Sequence, residues 1–271
     1  MKVLWVFAHP EPRSLGGALR DEGVRVLHAD GHEVRQSDLY AMRWDPVVGA
    51  ADFDHDPADR LLVGAAAQRA HAAGALRADI RSEQDKLVWA DTVVVQFPLW
   101  WYAMPAILKG WFDRVFVQGF AFGVRDPATG RTLRYGEGTL TGKRAMVVVS
   151  AGAREVSLGP RGVNGQLDEL LFPLQHGTLW YSGMSVVPPL LVPSADRADT
   201  PAFAAAAARL AERLRGLPVA RPIPFRRQNG GDYDEDLVLR PDIAAGRHGL
   251  SVHLAAAAGV QAPSAPITSV P

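Results

Sequence analysis

The chain has 271 residues, 48% of them hydrophobic, with 29 acidic and 29 basic side chains and no cysteine. That length suits one large α/β domain with an appendage, or two small domains, and the formal charge of zero gives no basis for a nucleic-acid or acidic-membrane partner. Disulfides, thiol catalysis and cysteine-ligated metals are excluded, no apolar run approaches the roughly 20 residues of a membrane helix, and the apolar run 3–8 is too short for a signal-peptide core, so the expected location is cytoplasmic.

Val3 to Ala8 is a continuous apolar run, read as a central parallel strand. It ends at His9, and a polar turn from Pro10 to Gly17 follows. Ser14 is a good N-cap for a helix running towards Asp30. The first N–H groups of such a helix point into the turn, which makes it an anion site. By itself the turn is neither GxGxxG nor a Walker loop, and a turn histidine capping a carbonyl is the plainer reading of His9. Glu33 to Leu39 fits a second strand. Residues 43–77 read as irregular, and Asp52, Asp54, His55, Asp56 and Asp59 as a solvated acidic loop without zinc or calcium ligand spacing. Ala78 to Ala90 reads as a helix with Ile80, Leu87 and Val88 facing inward.

Thr92 to Val95 is a β-branched run suited to a strand buried on both faces. It leads through Pro98 into Trp100, Trp101 and Tyr102, an aromatic shelf at the strand's carboxyl end. Pro105 then opens a helix whose apolar face carries Ile107, Leu108, Trp111, Phe112, Val115 and Phe116, with Lys109 and Asp113 paired on the other side. Asp126 to Gly130 is a turn within an excursion over 119–143. Ala145 to Ser150 is the fourth strand, ending in the small-residue turn Ala151-Gly152-Ala153, where a ligand can approach the backbone. A Gly-rich loop over 159–165 precedes a helix from Gln166 to Tyr181 broken at Pro173. Ser185 to Val192 is a fifth strand that Pro188-Pro189 confines to an edge, and Thr200-Pro201 opens an Ala-rich helix to about Arg215. Residues 1–216 form the expected main domain. Residues 217–271 are too broken for a core of their own, so they are expected to pack on that domain or on a second subunit, with Gln261 to Pro271 frayed.

The alternation of strands and helices indicates a doubly wound parallel α/β sheet. The loops after strands one, three and four meet at one sheet edge, where such sheets bind ligands. An anion-binding helix start, an aromatic shelf and a small-residue turn together suit a flavin.

Several segments resemble landmarks of the NAD(P)H:quinone oxidoreductase (DT-diaphorase) family: Ala8-His9 with Ser14, residues 37–42 (SDLYAM), residues 96–99 (QFPL), residues 105–112 (PAILKGWF), residues 172–175 (FPLQ) and residues 249–252 (GLSV). The resemblance implies a flavodoxin-like fold with strand order 2-1-3-4-5 and a homodimer with FAD at the subunit interface, FMN being the alternative. It also implies NADPH or NADH as hydride donor and a quinone as acceptor. His9, Ser14, Leu15 and Gly16 would contact the pyrophosphate and adenosine, and Pro98, Leu99, Trp100, Trp101 and Tyr102 the ring. Ser150, Ala151 and Gly152 would meet its far side, and Trp101, Tyr102, Phe122 and Asn164 would line the donor and acceptor pocket.

Leu158 and Asn164 stand where well-known members have a tyrosine and a histidine that stabilise the reduced ring. Backbone N–H groups from Ala151 to Ala153, Gly152 above all, or Arg161, are expected to take over that role. A sister branch holds zinc through two histidines and a cysteine; here only His176 matches, Trp180 fills the second position, and no metal is expected. Two other readings remain open: an azo- or nitro-reductase of the same fold, and a regulatory flavoprotein resembling ancillary subunits of potassium-efflux transporters.

Overall fold

The computed structural model describes residues 1–56 and 58–255, and the chain divides into two compact units, Met1–Ile223 and Pro224–Pro271. The expected frayed end at Gln261 to Pro271 lies outside the described residues. The first unit is built on a sheet of β1 (Lys2–Phe7), β2 (Glu33–Asp38), β3 (Thr92–Pro98), β4 (Arg144–Ser150), β5 (Ser185–Val186) and β6 (Leu190–Val192). The order is β2-β1-β3-β4-β5, with β6 also beside β4 and every pairing parallel. β5 and β6 are the anticipated edge strand, cut in two by Pro188-Pro189, because proline has no N–H to give the ladder.

Both faces of the central strands are covered. Trp5, Phe7, Val94, Met146 and Val148 share one core cluster with Leu19 and Leu27 of α1 (Leu15–Ala29) and Leu210 and Leu214 of α7 (Thr200–Gly216). Leu4, Val6, Val93 and Val95, which alternate with them, are equally buried, as a strand between two helical layers requires. Helix α1 packs very closely: a Cβ on Gly23 would lie 2.3 Å from the Trp5 ring. Leu217 is also buried in this cluster and Ile223 N–H donates to Val186 O, so the first unit continues past residue 216.

Three sequence readings are corrected on the side of α3 (Ala78–Trp89) and α4 (Ala106–Val115). Residues 43–77 are not uniformly irregular, since α2 (Val63–Ala72) forms there and buries Ala66, Ala67 and Ala70. Alanines carry too little apolar contrast for that face to show as a periodic stripe. Asp52 does not belong to a solvated loop; it is buried and takes a 2.6 Å bond from Arg114, itself fully buried. Val88 is 60% exposed, because the inward stripe of α3 is carried by Ile80, Glu83, Gln84 and Leu87.

The broken helix comprises α5 (Leu167–Leu170), α6 (Phe172–Leu174) and a wider π turn over Gln175–Trp180. In the second unit, Arg226 pairs with Asp232 at 2.6 Å, and Tyr233 shares a 2.9 Å bond with His253 while its ring stacks on the imidazole. No helix among the described residues is long and apolar enough to cross a membrane.

Candidate functional site

Strand register brings the site together. Phe7 is level with Gln96, Pro98 with Ser150, and Ser150 with Val192. The carboxyl ends of β1, β3, β4 and β6 therefore open on one edge, where the chain must leave the sheet through loops. A cleft of about 220 Å³ lies there, lined by His9, Ser14 to Gly16, Pro98 to Trp100, Ser150 to Gly152, Ala195 and Asp196.

The first wall is the turn into α1. Ser14 has extended backbone and its hydroxyl accepts from Gly17 N–H at 3.1 Å, which caps the helix. Capping leaves the earlier helical amides facing the cleft, with the helix dipole behind them. His9 Nδ1 lies 3.0 Å from Glu11 N and 3.1 Å from Glu11 O, which pins the imidazole in the turn and leaves Nε2 outside both contacts. A Cβ on Gly17 would stand 2.0 Å from Pro12 O, so only glycine lets the turn close this tightly. Gln96 locks turn and sheet together: its amide donates to Gly16 O at 2.7 Å and its oxygen accepts from Trp5 Nε1 at 2.9 Å.

The second wall is the aromatic turn after β3. Leu99 N–H donates to Ser150 O at 2.7 Å, and Trp100 and Ala103 exchange both backbone bonds at 3.1 and 3.0 Å. Inside that ring, Trp101 and Tyr102 hold φ of 50° and 62°, a left-handed conformation that costs a non-glycine residue about 1–2 kcal/mol. Of the four residues from Leu99 to Tyr102, the N–H groups of the first two are committed, which leaves those of Trp101 and Tyr102 to a ligand. Trp100 faces His9 with ring centroids 6.3 Å apart. Trp101 is 95% exposed, a large apolar surface to leave in water without a partner.

The third wall is the turn after β4. Ala151 N–H already donates to Val192 O at 2.9 Å, so of the three amides in this turn those of Gly152 and Ala153 are the ones left uncommitted. Ala195 and Asp196 complete this wall and carried no signal in the sequence, because the segment that brings them there follows an edge strand broken by prolines. The Asp196 carboxylate would lie 3.4 Å from a Cβ on Gly152. A second cavity of about 250 Å³ shares Leu15 with the first and continues along β6 and α7, with Arg197 and Arg209 in its wall.

The remaining predicted residues lie elsewhere. Leu158 is only 3% exposed and presents almost no side-chain surface. Asn164 meets the hydroxyl of Tyr102 at 3.1 Å, which ties the loop after β4 to the aromatic turn. Arg161 does not line the cleft. Phe122 lies in a separate groove of about 430 Å³ with Met104, Phe112, Phe116 and Tyr181. His176 is held between the rings of Phe172 and Tyr135, with centroids 4.5 and 4.9 Å away, and the described residues contain no cluster that could bind a metal.

A family model described as a flavodoxin-like fold matches residues 1–214. The chain is 47% identical over 235 residues to a ribosyldihydronicotinamide dehydrogenase-like protein of Penicillium crustosum, covering 86% of this chain and 87% of that one. It is 37% identical over 193 residues to NAD(P)H dehydrogenase (quinone) 1 of Rattus norvegicus, covering 70% of this chain and 68% of the other. Among solved structures, a candidate quinone reductase from Klebsiella pneumoniae superposes with a TM-score of 0.90 at 52% identity, covering 94% of this chain and all of that one.

Proposed function

The chain belongs to the flavodoxin-like family of quinone oxidoreductases, and from that premise we propose that it is a flavin-dependent enzyme carrying two electrons from a dihydronicotinamide donor to a quinone. One observation carries the reading: the ends of β1, β3 and β4 place an anion-binding helix start, the Pro98–Trp100 start of the aromatic turn and a small-residue turn around a single cleft, and the uncommitted amides of that turn belong to the next two residues, Trp101 and Tyr102. That donor set fits a flavin. The α1 amides and His9 Nε2 would hold its phosphates, the Pro98–Tyr102 turn one side of the ring, and Ser150, Ala151 and Gly152 the other. Bound there, the flavin supplies the hydride relay itself. The protein's residues bind, orient and exclude water, and the Gly152 and Ala153 amides offer hydrogen bonds to developing negative charge.

The cavity beyond Leu15 supports FAD over FMN. A mononucleotide would end at the start of α1, whereas a dinucleotide would continue along α7 towards Arg209. A cytoplasmic homodimer is part of the proposal. Trp101 projects into solvent, and Phe122 and Tyr181 line a groove apart from the cleft. A two-fold partner would bring one protomer's groove to the other's shelf, and NADPH or NADH and the quinone would then occupy that shared pocket in turn.

Mass spectrometry of the released cofactor and anaerobic stopped-flow mixing with NADPH, NADH and a ribosyl donor test the reading. FAD that is bleached by a donor and recovered by a quinone is expected. A protein that takes up no flavin, or a bound flavin no donor bleaches, would overturn it. Sedimentation at micromolar concentration tests the dimer.

A further inference from the structure

Tyr102 is fixed at both its backbone and its hydroxyl. Its φ of 62° lies inside the turn closed by Trp100 and Ala103, so the ring leaves the turn in one direction. Its hydroxyl meets Asn164 Oδ1 at 3.1 Å, Asn164 Nδ2 meets Ser157 Oγ at 3.0 Å, and Ser157 Oγ meets Arg154 O at 2.7 Å. A second bond, Asn164 N–H to Ser157 O at 3.1 Å, holds the two loop residues together.

This chain of bonds has one polarity. Arg154 O is a carbonyl and only accepts, so the Ser157 proton points to it and Ser157 Oγ accepts from Asn164. The amide nitrogen of Asn164 therefore faces Ser157, and its oxygen faces Tyr102. The Tyr102 hydroxyl must donate to that oxygen. Its own lone pairs are left turned outward, on a side chain that is about half-exposed, two residues beyond Trp100 of the cleft wall.

We propose that Tyr102, oriented by Asn164 and Ser157, is a specificity-determining acceptor that reads the carboxamide N–H of the dihydronicotinamide donor. A quinone offers only carbonyl oxygens and finds no donor there, while the nicotinamide amide brings two N–H groups. The residue would thus separate the two ligands that alternate in one pocket. Ser157 is a positioning residue, acting through Asn164. The inference rests on the dihydronicotinamide-dependent activity proposed above.

A chemical double-mutant cycle tests it. The flavin-loaded protein and its Tyr102→Phe variant are mixed anaerobically with 1-benzyl-1,4-dihydronicotinamide and with the corresponding methyl ester, which lacks the amide N–H. Re-oxidation by a quinone is followed separately. Binding of the oxidised pyridinium amide and ester is measured in parallel by calorimetry. Tyr102→Phe is expected to lower the preference for amide over ester about three- to tenfold, the range of one neutral hydrogen bond, with any change in ester binding or quinone re-oxidation smaller than the change in amide binding. Ser157→Ala, which frees Asn164 to turn over, is expected to lose part of the same preference. An equal effect of Tyr102→Phe on amide and ester, or a loss confined to the quinone step, would overturn the assignment. If the unmodified protein is bleached by neither donor, the activity itself fails, and that result is read from the wild-type arm alone.

Discussion

Beside α3 and α4 the protein closes its polar groups on one another, while at the edge formed by Pro98 and Ser150 it leaves them open. Arg114 donates to Asp52 and Asp79 at 2.6 and 3.1 Å and lies 4.5 Å above the Trp44 ring. Burial works against its charge, yet the two carboxylates outweigh that and its pKa rises. Glu83, equally buried, receives Ser37 at 2.6 Å, Lys86 at 2.6 Å and Trp111 at 2.9 Å. At the cleft the opposite holds: helix amides face outward, a tryptophan stands in water, and two residues sit in left-handed backbone. A folded chain gains nothing in stability from such features, so they point to a ligand. The contrast separates charge that holds the fold from polarity that serves the site, and substitutions can test the separation.

The largest effect is expected at the closed network. Asp52→Ala leaves the buried Arg114 guanidinium with Asp79 and the Asp45 carbonyl in place of its main partner, and removing one partner of a buried pair costs about 3–5 kcal/mol, so a loss near the lower end is expected. The urea midpoint should fall accordingly. A variant that unfolds at the wild-type midpoint would show that Arg114 finds other partners or water.

Next comes Gln96, which belongs to both regions. Gln96→Leu keeps the volume, leaves Trp5 Nε1 without its partner and strips Gly16 O of its bond to the sheet, at a cost of about 1–3 kcal/mol for a buried unsatisfied group. Because Gly16 lies in the first turn of α1, flavin affinity should fall together with stability. If stability falls and flavin affinity does not, the helix start does not hold the cofactor.

The sheet and the three converging loops were legible because they are written locally: β-branched runs for buried strands, Ser14 for the cap, Pro98 and Pro105 for the turn. The Arg114–Asp52 pair was not, since its members lie 62 positions apart and an acidic stretch in sequence carries no mark of burial. The commitment of the Ala151 amide to Val192 was hidden for the same reason, being a register fact of a broken edge strand. Phe122 was placed with the shelf by its resemblance to family members, and the single chain puts it in another groove. Tyr102 and Asn164 were each singled out, but the bond between them needs the turn geometry that only the fold supplies.

Ser14 separates capping from cofactor binding at a smaller scale. Ser14→Ala should cost about 1 kcal/mol, the usual worth of an N-cap, and loosen the flavin. Ser14→Asp keeps the cap, so thermal stability should return to the wild-type value. The added negative charge faces the phosphates, so flavin retention should fall further than in the alanine variant. Recovery of both properties in Ser14→Asp would remove the anion from this turn.

Trp101 gives the smallest effect on stability and the sharpest sign. Its side chain is almost fully solvated, so Trp101→Ala should change the unfolding free energy by no more than about 0.5 kcal/mol. Glycine is different, because a φ of 50° suits it without a steric cost. Trp101→Gly relieves about 1–2 kcal/mol of left-handed strain against about 0.5–1 kcal/mol of added chain entropy, so a net stabilisation of up to about 1 kcal/mol is expected. The same change removes an aromatic wall worth about 0.5–1.5 kcal/mol per stacked ring, which corresponds to roughly a two- to tenfold rise in KM for a flat acceptor. Stability and acceptor binding should thus move in opposite directions in a single variant. If both fall, the indole packs against structure and the turn is not strained for function; if both hold, the shelf ends at Trp100.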